Sequence, residues 1–267
     1  MAGSRAAILT TVRRGGHEMA TVFEWDAAHY DRVAAPMTAR GTQMVERLPL
    51  RGDETVLDLG CGTGRVTGRL RERLPHGEVV AVDASAAMLA AARARLAAGG
   101  RVRFVRADVG APLPLPAADA ALSTSALHWV PDHPALFRRL AAALRPGGHL
   151  ALDFGGEGNI AEVVAALAEV GETHPWNFPS PAATAAALEA AGFEVREIEV
   201  SVRPHLLGGR AELEAYLRTV VLGAHLEGRD PAAGDRLVSA VAGRLRAPEI
   251  RYVRTEVIAR RREAHAG

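Results

Sequence analysis

The segment that decides the fold reads Thr55-Val56-Leu57-Asp58-Leu59-Gly60-Cys61-Gly62-Thr63-Gly64-Arg65. Its first half, Thr55 to Leu59, is a short apolar run of the kind that forms a buried β-strand. Three glycines follow at every second position, and they let the backbone turn tightly beside a ligand. Residues 65–74 then predict a helix whose N-terminus faces the loop and favours an anionic group. A strand, a glycine loop and a helix in this order predict the first part of a nucleotide-binding α/β unit.

The spacing of the glycines narrows the choice of ligand. The dinucleotide fingerprint is G-x-G-x-x-G, whereas this loop is G-x-G-x-G with Asp58 two residues before the first glycine. A second predicted strand, Glu78 to Asp83, ends in an acid. A carboxylate there can accept hydrogen bonds from the two hydroxyls of a ribose, although Asp83 could instead cap a helix or lie in a loop. In this order the segments resemble motif I and the following acidic motif of class I S-adenosylmethionine-dependent methyltransferases.

That resemblance implies a set of cofactor contacts. The glycine loop would hold the methionine part of S-adenosyl-L-methionine, Asp58 would accept from its ammonium group, and Asp83 would bind the ribose. Asp108 and Val109, after the third strand, would bind the adenine, although Asp108 could simply be a polar residue entering a loop. Cys61 is expected to be a small residue lining the site. The implied cofactor-binding residues are Asp58, Gly60, Cys61, Gly62, Gly64, Asp83, Ala84, Asp108, Val109 and Ser125.

The segment after the fourth strand, residues 124–133, resembles that of trans-aconitate methyltransferases and related small-molecule methyltransferases. His128 is the candidate catalytic residue, either as a general base, since an unperturbed imidazole titrates near pH ~6.5, or as a substrate contact. It could also just pack beside Trp129. The candidate substrate contacts are Trp25, Tyr30, His128, Trp129 and Trp176. Trp25 and Tyr30 could equally pack against the core.

Composition limits the classes of partner. The formal net charge of +1 disfavours nucleic acid, and a single cysteine excludes an internal disulfide and a cysteine-based metal cluster. No apolar run approaches the ~20 residues of a membrane span, so a cytoplasmic protein is expected. No metal is expected, because methyl transfer from a sulfonium is a direct in-line displacement that positioning can promote. The oligomeric state and the methylated atom stay open.

The resemblance implies a Rossmann-like α/β fold. Its seven-stranded, mostly parallel sheet has the order 3-2-1-4-5-7-6, an antiparallel seventh strand, helices on both faces and a helical cap. The expected organisation is a disordered tail (1–18), a helical lid segment (19–48), a cofactor-binding core (49–205), a cap insertion (206–249) and the last strand with its tail (250–267).

The expected function is methyl transfer to a small molecule, a carboxylic acid or a secondary metabolite. Two alternatives stay open. The first is an NAD(P)-dependent oxidoreductase built on a similar unit, which the glycine spacing disfavours. The second is a non-catalytic cofactor-binding protein, which the intact glycine motif disfavours.

Overall fold

The computed structural model describes Ala27, Asp31, residues 35–112 and residues 116–263. The predicted tail and the candidate substrate contacts Trp25 and Tyr30 lie outside the described residues.

The described chain alternates strands and helices as far as residue 190 and then adds two long antiparallel strands. The strands are β1 (Thr55–Leu59), β2 (Glu78–Asp83), β3 (Val102–Arg106), β4 (Ala118–Thr124), β5 (Leu144–Gly155), β6 (Phe193–Leu206) and β7 (Glu249–Arg261). The helices are α1 (Ala35–Glu46), α2 (Arg65–Arg73), α3 (Ala86–Arg95), α4 (His133–Ala143), α5 (Ala161–Glu169), α6 (Pro181–Ala190), α7 (Arg210–Tyr216), α8 (Gly223–Leu226) and α9 (Pro231–Ala242).

The seven strands form one sheet in the order β3-β2-β1-β4-β5-β7-β6, as predicted. β1 to β5 run parallel, and β7 is antiparallel to both β5 and β6. The order reverses between β1 and β4. In open α/β sheets a ligand binds outside the carboxyl ends of the strands at such a point. The topology therefore places the glycine loop, which follows β1, in the crevice where a ligand is expected.

Apolar side chains cover both faces of the sheet. On one face α4 and α6 contribute Phe137, Leu140 and Leu188, which pack around Leu57 and Val80. On the other face α1 contributes Met44, the segment after it Leu48, and α2 Leu70. Continuous apolar strands are buried between these helix layers, as is usual for parallel sheets.

The start of β5 is irregular. Residues 145–148 belong to that strand, and its pairing with β4 shifts register between Ala118 and Ala120. Gly147 there has φ +77°, a left-handed conformation that glycine adopts readily. The irregularity therefore precedes the regular pairing of β5 with β4.

The helices between β6 and β7 form a second apolar cluster together with α5. Leu213, Leu217 and Val238 from the inserted helices pack there against Val163 and Leu167 of α5. α9 begins in the way its sequence favours, because Asp230 accepts hydrogen bonds from the backbone N–H groups of Ala232 and Ala233. This helical layer lies above the β5 and β7 end of the sheet and closes one side of the site.

Candidate active site

A cavity of about 1230 Å³ lies at the carboxyl edge of the sheet. Pockets for one small ligand usually span ~300–1000 Å³, so this cavity has room for two small molecules side by side. Its walls include Gly60, Gly62 and Asp83 at one end and Arg254 at the other. Residues from β1, β2, β4 and β7 thus meet in one space.

The glycine loop has the left-handed backbone that its sequence predicts. Gly60, Gly62 and Gly64 have φ values of +75°, +54° and +79°. A Cβ on Gly60 would lie 2.3 Å from Ala126 Cβ, whereas a Cβ on Gly62 would meet nothing within 4 Å. Gly60 therefore allows the loop to pack on the turn after β4. Gly62 keeps its part of the cavity wall open for a ligand.

Most of the N–H groups on the loop are already engaged by the protein. Those of Gly60 and Cys61 donate to the Val82 carbonyl, and that of Gly64 donates to the Cys61 carbonyl. The Gly62 N–H donates to Asp83 Oδ2 at 2.8 Å. A carboxylate in the cavity would therefore need donors from elsewhere.

Asp83 lies at the tip of β2, where the ribose contact is predicted. Its Oδ1 accepts from the Ser85 N–H at 2.9 Å, and its Oδ2 accepts from the Gly62 N–H. These bonds fix the carboxylate plane against the cavity. The carboxylate lies on the cavity wall, where a ribose hydroxyl could reach it.

Asp58 and Cys61 lie behind the loop, outside the cavity wall. The Cys61 side chain packs with Ala81 and Leu89, and its predicted place beside the cofactor stays a prediction. Burial raises its thiol pKa well above the ordinary value. Asp58 is 1% exposed and accepts from Thr67 Oγ1 at 2.6 Å. Burial raises the pKa of Asp58 to about 6, and its predicted ammonium contact stays a prediction.

The remaining predicted cofactor residues, apart from Gly64, lie on the cavity wall. Ala84, Asp108, Val109 and Ser125 all line it. Asp108 Oδ1 accepts from the Gly110 N–H at 2.8 Å, which holds this loop after β3. Ser125 has φ +58° and donates its N–H to the Asp153 carbonyl. Their adenine and cofactor contacts stay predictions.

An aromatic wall lies opposite the adenosine end. His174, Trp176 and Phe178 stack in sequence, with ring centroids 5.4 and 5.9 Å apart, and Trp129 meets Trp176 edge-on at 6.0 Å. All four rings line the cavity, as does His128. The structure therefore brings His128, Trp129 and Trp176 together as predicted for substrate contacts.

His128 is half-buried, and its Nδ1 is a buried atom with no hydrogen-bond partner among the described residues. Burial, reinforced by the charges of Arg254 and His133, lowers the pKa of His128 to about 3. The imidazole is therefore neutral across the physiological range, which favours a substrate contact over a general base.

Sequence analysis missed a buried arginine pair beside Ser125. Arg254 of β7 donates from Nε and Nη2 to the two oxygens of Asp153 at 3.0 and 2.8 Å, and from Nη2 to Ser125 Oγ at 3.1 Å. Arg40 of α1 places its Nε 3.9 Å from Asp153 Oδ2. The signal for Arg40 was its position on the apolar stripe of α1, one turn before Met44 and two before Leu48.

Asp31 ties the N-terminal segment to the glycine loop. Its Oδ1 accepts from Thr63 Oγ1 at 2.8 Å and from Arg65 Nε at 2.6 Å, and its Oδ2 accepts from Arg95 at 2.5 Å. Burial alone would raise the pKa of Asp31, but the hydrogen bonds from Arg65 and Thr63 and the charge of Arg95 lower it to about 2. This network holds residue 31 over the loop, where the lid segment is predicted.

Residues 56–148 match the profile of a family described as "Methyltransferase domain". The trans-aconitate 2-methyltransferase of Methylobacterium radiotolerans is 37% identical over 154 residues, which is 57% of this chain and 57% of that protein. An S-adenosylmethionine-dependent methyltransferase from Mesorhizobium loti matches in structure with a TM-score of 0.54 and 24% identity, over 82% of this chain and 96% of the other. The fold is that of the class I methyltransferases.

The class I methyltransferase fold is found with more than one activity. The [4+2]-cyclase SpnF matches with a TM-score of 0.58 and 21% identity, over 85% of this chain and 81% of its own. This chain also spans little more than half the length of the curated relative above. The sequence match covers the cofactor half, and the cap and β7 lie beyond residue 148.

Two further observations concern other site types. Among the described ranges, no group of three or more His, Cys, Asp and Glu side chains could hold a metal ion. Across the same residues, no helix combines the length and the apolar character that a membrane crossing needs.

Proposed function

We propose that this protein transfers the methyl group of S-adenosyl-L-methionine to a small organic acceptor, a carboxylic acid in the first instance. The observation that carries the proposal is the single cavity that joins Gly62 and Asp83 at one end to Arg254 at the other. The sequence match to methyltransferases favours this activity over a nicotinamide-dependent oxidoreductase. The carboxylic acid is inferred from the relative, whose name gives trans-aconitate as its methyl acceptor.

The residues present fit the cofactor. The open space at Gly62 admits the methionine chain, and the Asp83 carboxylate lines the same cavity at the tip of β2, where it can meet the ribose hydroxyls. Asp108 and Val109 stand at the tip of the neighbouring strand, where they can contact the adenine. Asp58 lies behind the loop and not on the cavity wall, so it is not counted among the residues that fit the cofactor.

The chemistry that bound S-adenosyl-L-methionine supplies is a methyl group on a sulfonium, ready for in-line displacement. The chain's own contribution is to hold the acceptor in line and to exclude water. An acceptor carboxylate is already anionic at neutral pH, so no general base is required. His128 lines the cavity with a neutral imidazole and can contact the acceptor.

The test is a transfer assay with S-adenosyl-L-methionine that carries a tritiated methyl group. Trans-aconitate and a panel of mono- and dicarboxylic acids serve as acceptors. We expect label in an organic-extractable ester with at least one acid, and at least a tenfold lower rate for Asp83→Asn. Cofactor binding without transfer to any acceptor would instead support a non-catalytic cofactor-binding protein.

A further inference from the structure

The buried arginine pair has more positive charge than its protein partner neutralises. Arg254 is 3% exposed and Asp153 is fully buried, and the two form a bidentate pair. Arg40 is the second cation at the same carboxylate, and its side chain is 18% exposed. Two guanidinium groups thus share one carboxylate, which leaves about one positive charge facing the cavity.

Some hydrogen-bond donors of Arg40 and of the nearby tyrosines have no acceptor among the described residues. Arg40 Nε is buried without a hydrogen-bond partner among the residues the structure describes. The hydroxyls of Tyr216 and Tyr252 lie 2.8 Å apart. One hydrogen lies between those two oxygens, so the accepting tyrosine keeps its own hydrogen for another acceptor. Both tyrosines and both arginines line the cavity.

Among the described residues, two guanidinium groups that share one carboxylate, together with unused donors, are costly in a largely buried place, because their desolvation is only partly offset. Both arginines and both tyrosines line the cavity, so a single ligand carboxylate there could accept from the guanidinium groups and from the free tyrosine hydrogen. Arginine suits this ligand, since its planar fork matches the two carboxylate oxygens.

We propose that Arg40, Arg254 and the Tyr216–Tyr252 pair form a binding subsite for one carboxylate of the methyl acceptor. The inference rests on the proposed function and adds how the acceptor is recognised. The aromatic wall of Trp129, Trp176 and Phe178 continues from this subsite, so the acceptor's body is apolar or conjugated. A neutral acceptor of the same shape would leave the buried charge unpaired.

The position of the subsite separates it from the ribose end. Asp83 belongs to β2, whereas Asp153 belongs to β5, three strands away, or about 14 Å at the usual strand spacing. Arg254 is on β7, one strand further, and its guanidinium reaches back to Asp153 and to Ser125 Oγ. Tyr216 comes from the inserted helices, outside the sequence match to methyltransferases. These elements are where an acceptor site distinct from the cofactor half would lie.

Arg40→Gln is the informative variant. Removing Arg254 would leave Asp153 buried without its bidentate partner and would endanger folding. Removing Arg40 leaves that pair intact. Arg203→Gln is the matched control, because Arg203 lines the same cavity but is exposed. Arg40→Lys keeps the positive charge but loses the planar guanidinium group that can donate two parallel hydrogen bonds.

The experiment is calorimetric titration of the S-adenosylhomocysteine complex with trans-cinnamate, its neutral analogue cinnamamide, and trans-aconitate. We expect cinnamate or trans-aconitate to bind wild type at least tenfold more tightly than cinnamamide. Arg40→Gln should lose at least tenfold in affinity for the carboxylate, with Arg40→Lys in between and Arg203→Gln within twofold of wild type. The proposal would be overturned if the acid and the amide bound equally well, or if neither acid bound. It would also be overturned if Arg203→Gln lost as much affinity for the carboxylate as Arg40→Gln.

A second arm identifies the source of the carboxylate. Arg40→Gln is titrated with S-adenosylhomocysteine and with 5′-methylthioadenosine, which lacks the amino-acid part. Unchanged affinity for both supports the acceptor subsite. A loss confined to S-adenosylhomocysteine would assign the arginine to the cofactor carboxylate and overturn the proposal. If wild type binds no S-adenosylhomocysteine at all, the proposed function fails, which is a separate result.

Discussion

Replacing Asp58 by asparagine should stabilise the protein at alkaline pH. Asp58 is 1% exposed, and its one hydrogen bond within the described chain comes from Thr67. Burial raises its pKa from 3.8 to about 6, the charge of Asp83 adds to the rise, and the Thr67 hydroxyl opposes it. At 1.36 kcal/mol per pH unit, this rise corresponds to about 3 kcal/mol of unfavourable free energy in the ionised native state.

The direction in which the Asp58 contribution to stability changes with pH follows from the protons bound in the native and unfolded states. Above pH 6 the carboxylate is ionised in the native and unfolded states, and the native state carries the full penalty. Between pH 6 and 3.8 the native state binds more protons than the unfolded chain, so the Asp58 contribution to stability rises as the pH falls. Below pH 3.8 both states are protonated and the penalty is gone.

Asparagine is neutral throughout, and its Oδ1 can still accept from Thr67. We expect Asp58→Asn to raise the free energy of unfolding at pH 8 by up to about 3 kcal/mol, and by little at pH 4. Urea unfolding of wild type and variant at both pH values measures the difference, in which all other titrating groups cancel. Asp53→Asn, an exposed acid, is the control and should stay within about 0.5 kcal/mol of wild type. A less stable Asp58→Asn at pH 8, or a difference that does not change with pH, would refute the reasoning.

Three further predictions concern the site. Asp83→Asn should weaken S-adenosylhomocysteine binding by about 1–3 kcal/mol in calorimetry, since charged hydrogen bonds to the ribose are lost; unchanged affinity would show that the ribose assignment is wrong. Gly62→Ala should lower the affinity for S-adenosylhomocysteine, because the alanine methyl group would point into the cavity. Since Gly62 has φ +54°, the variant should also lose about 1–2 kcal/mol of stability in urea unfolding. An unchanged affinity would show that the loop is not part of the binding site. His128→Gln should reduce turnover without changing the shape of the pH–rate profile between pH 5 and 8, because the His128 pKa of about 3 lies below that range; loss of a wild-type inflection near pH 6.5 in the variant would contradict this.

The sequence predicts those parts of the fold that depend on residues close to one another in the chain. The glycine spacing, the acid at the tip of β2 and the apolar strands each depend on neighbours a few residues away. The strand order came from the resemblance, and the observed order agrees with it. The position of Asp83 beside Gly62 was predictable because both follow adjacent parallel strands.

The acceptor end was not predictable in the same way. Arg254 and Asp153 are 101 residues apart, and their pairing depends on the register of β7 against β5. Tyr216 reaches Tyr252 only because the inserted helices fold back over the sheet. The packing of the Cys61 side chain on Ala81 and Leu89 was not predictable either, since the sequence locates the residue in the loop but does not say which way its side chain points.

The most direct test of the account is calorimetric titration of the wild-type protein with S-adenosylhomocysteine, with NAD as the control ligand. We expect micromolar binding of S-adenosylhomocysteine at one site per chain and no binding of NAD. Binding of NAD without S-adenosylhomocysteine would contradict the assignment of the glycine loop and Asp83 to this cofactor.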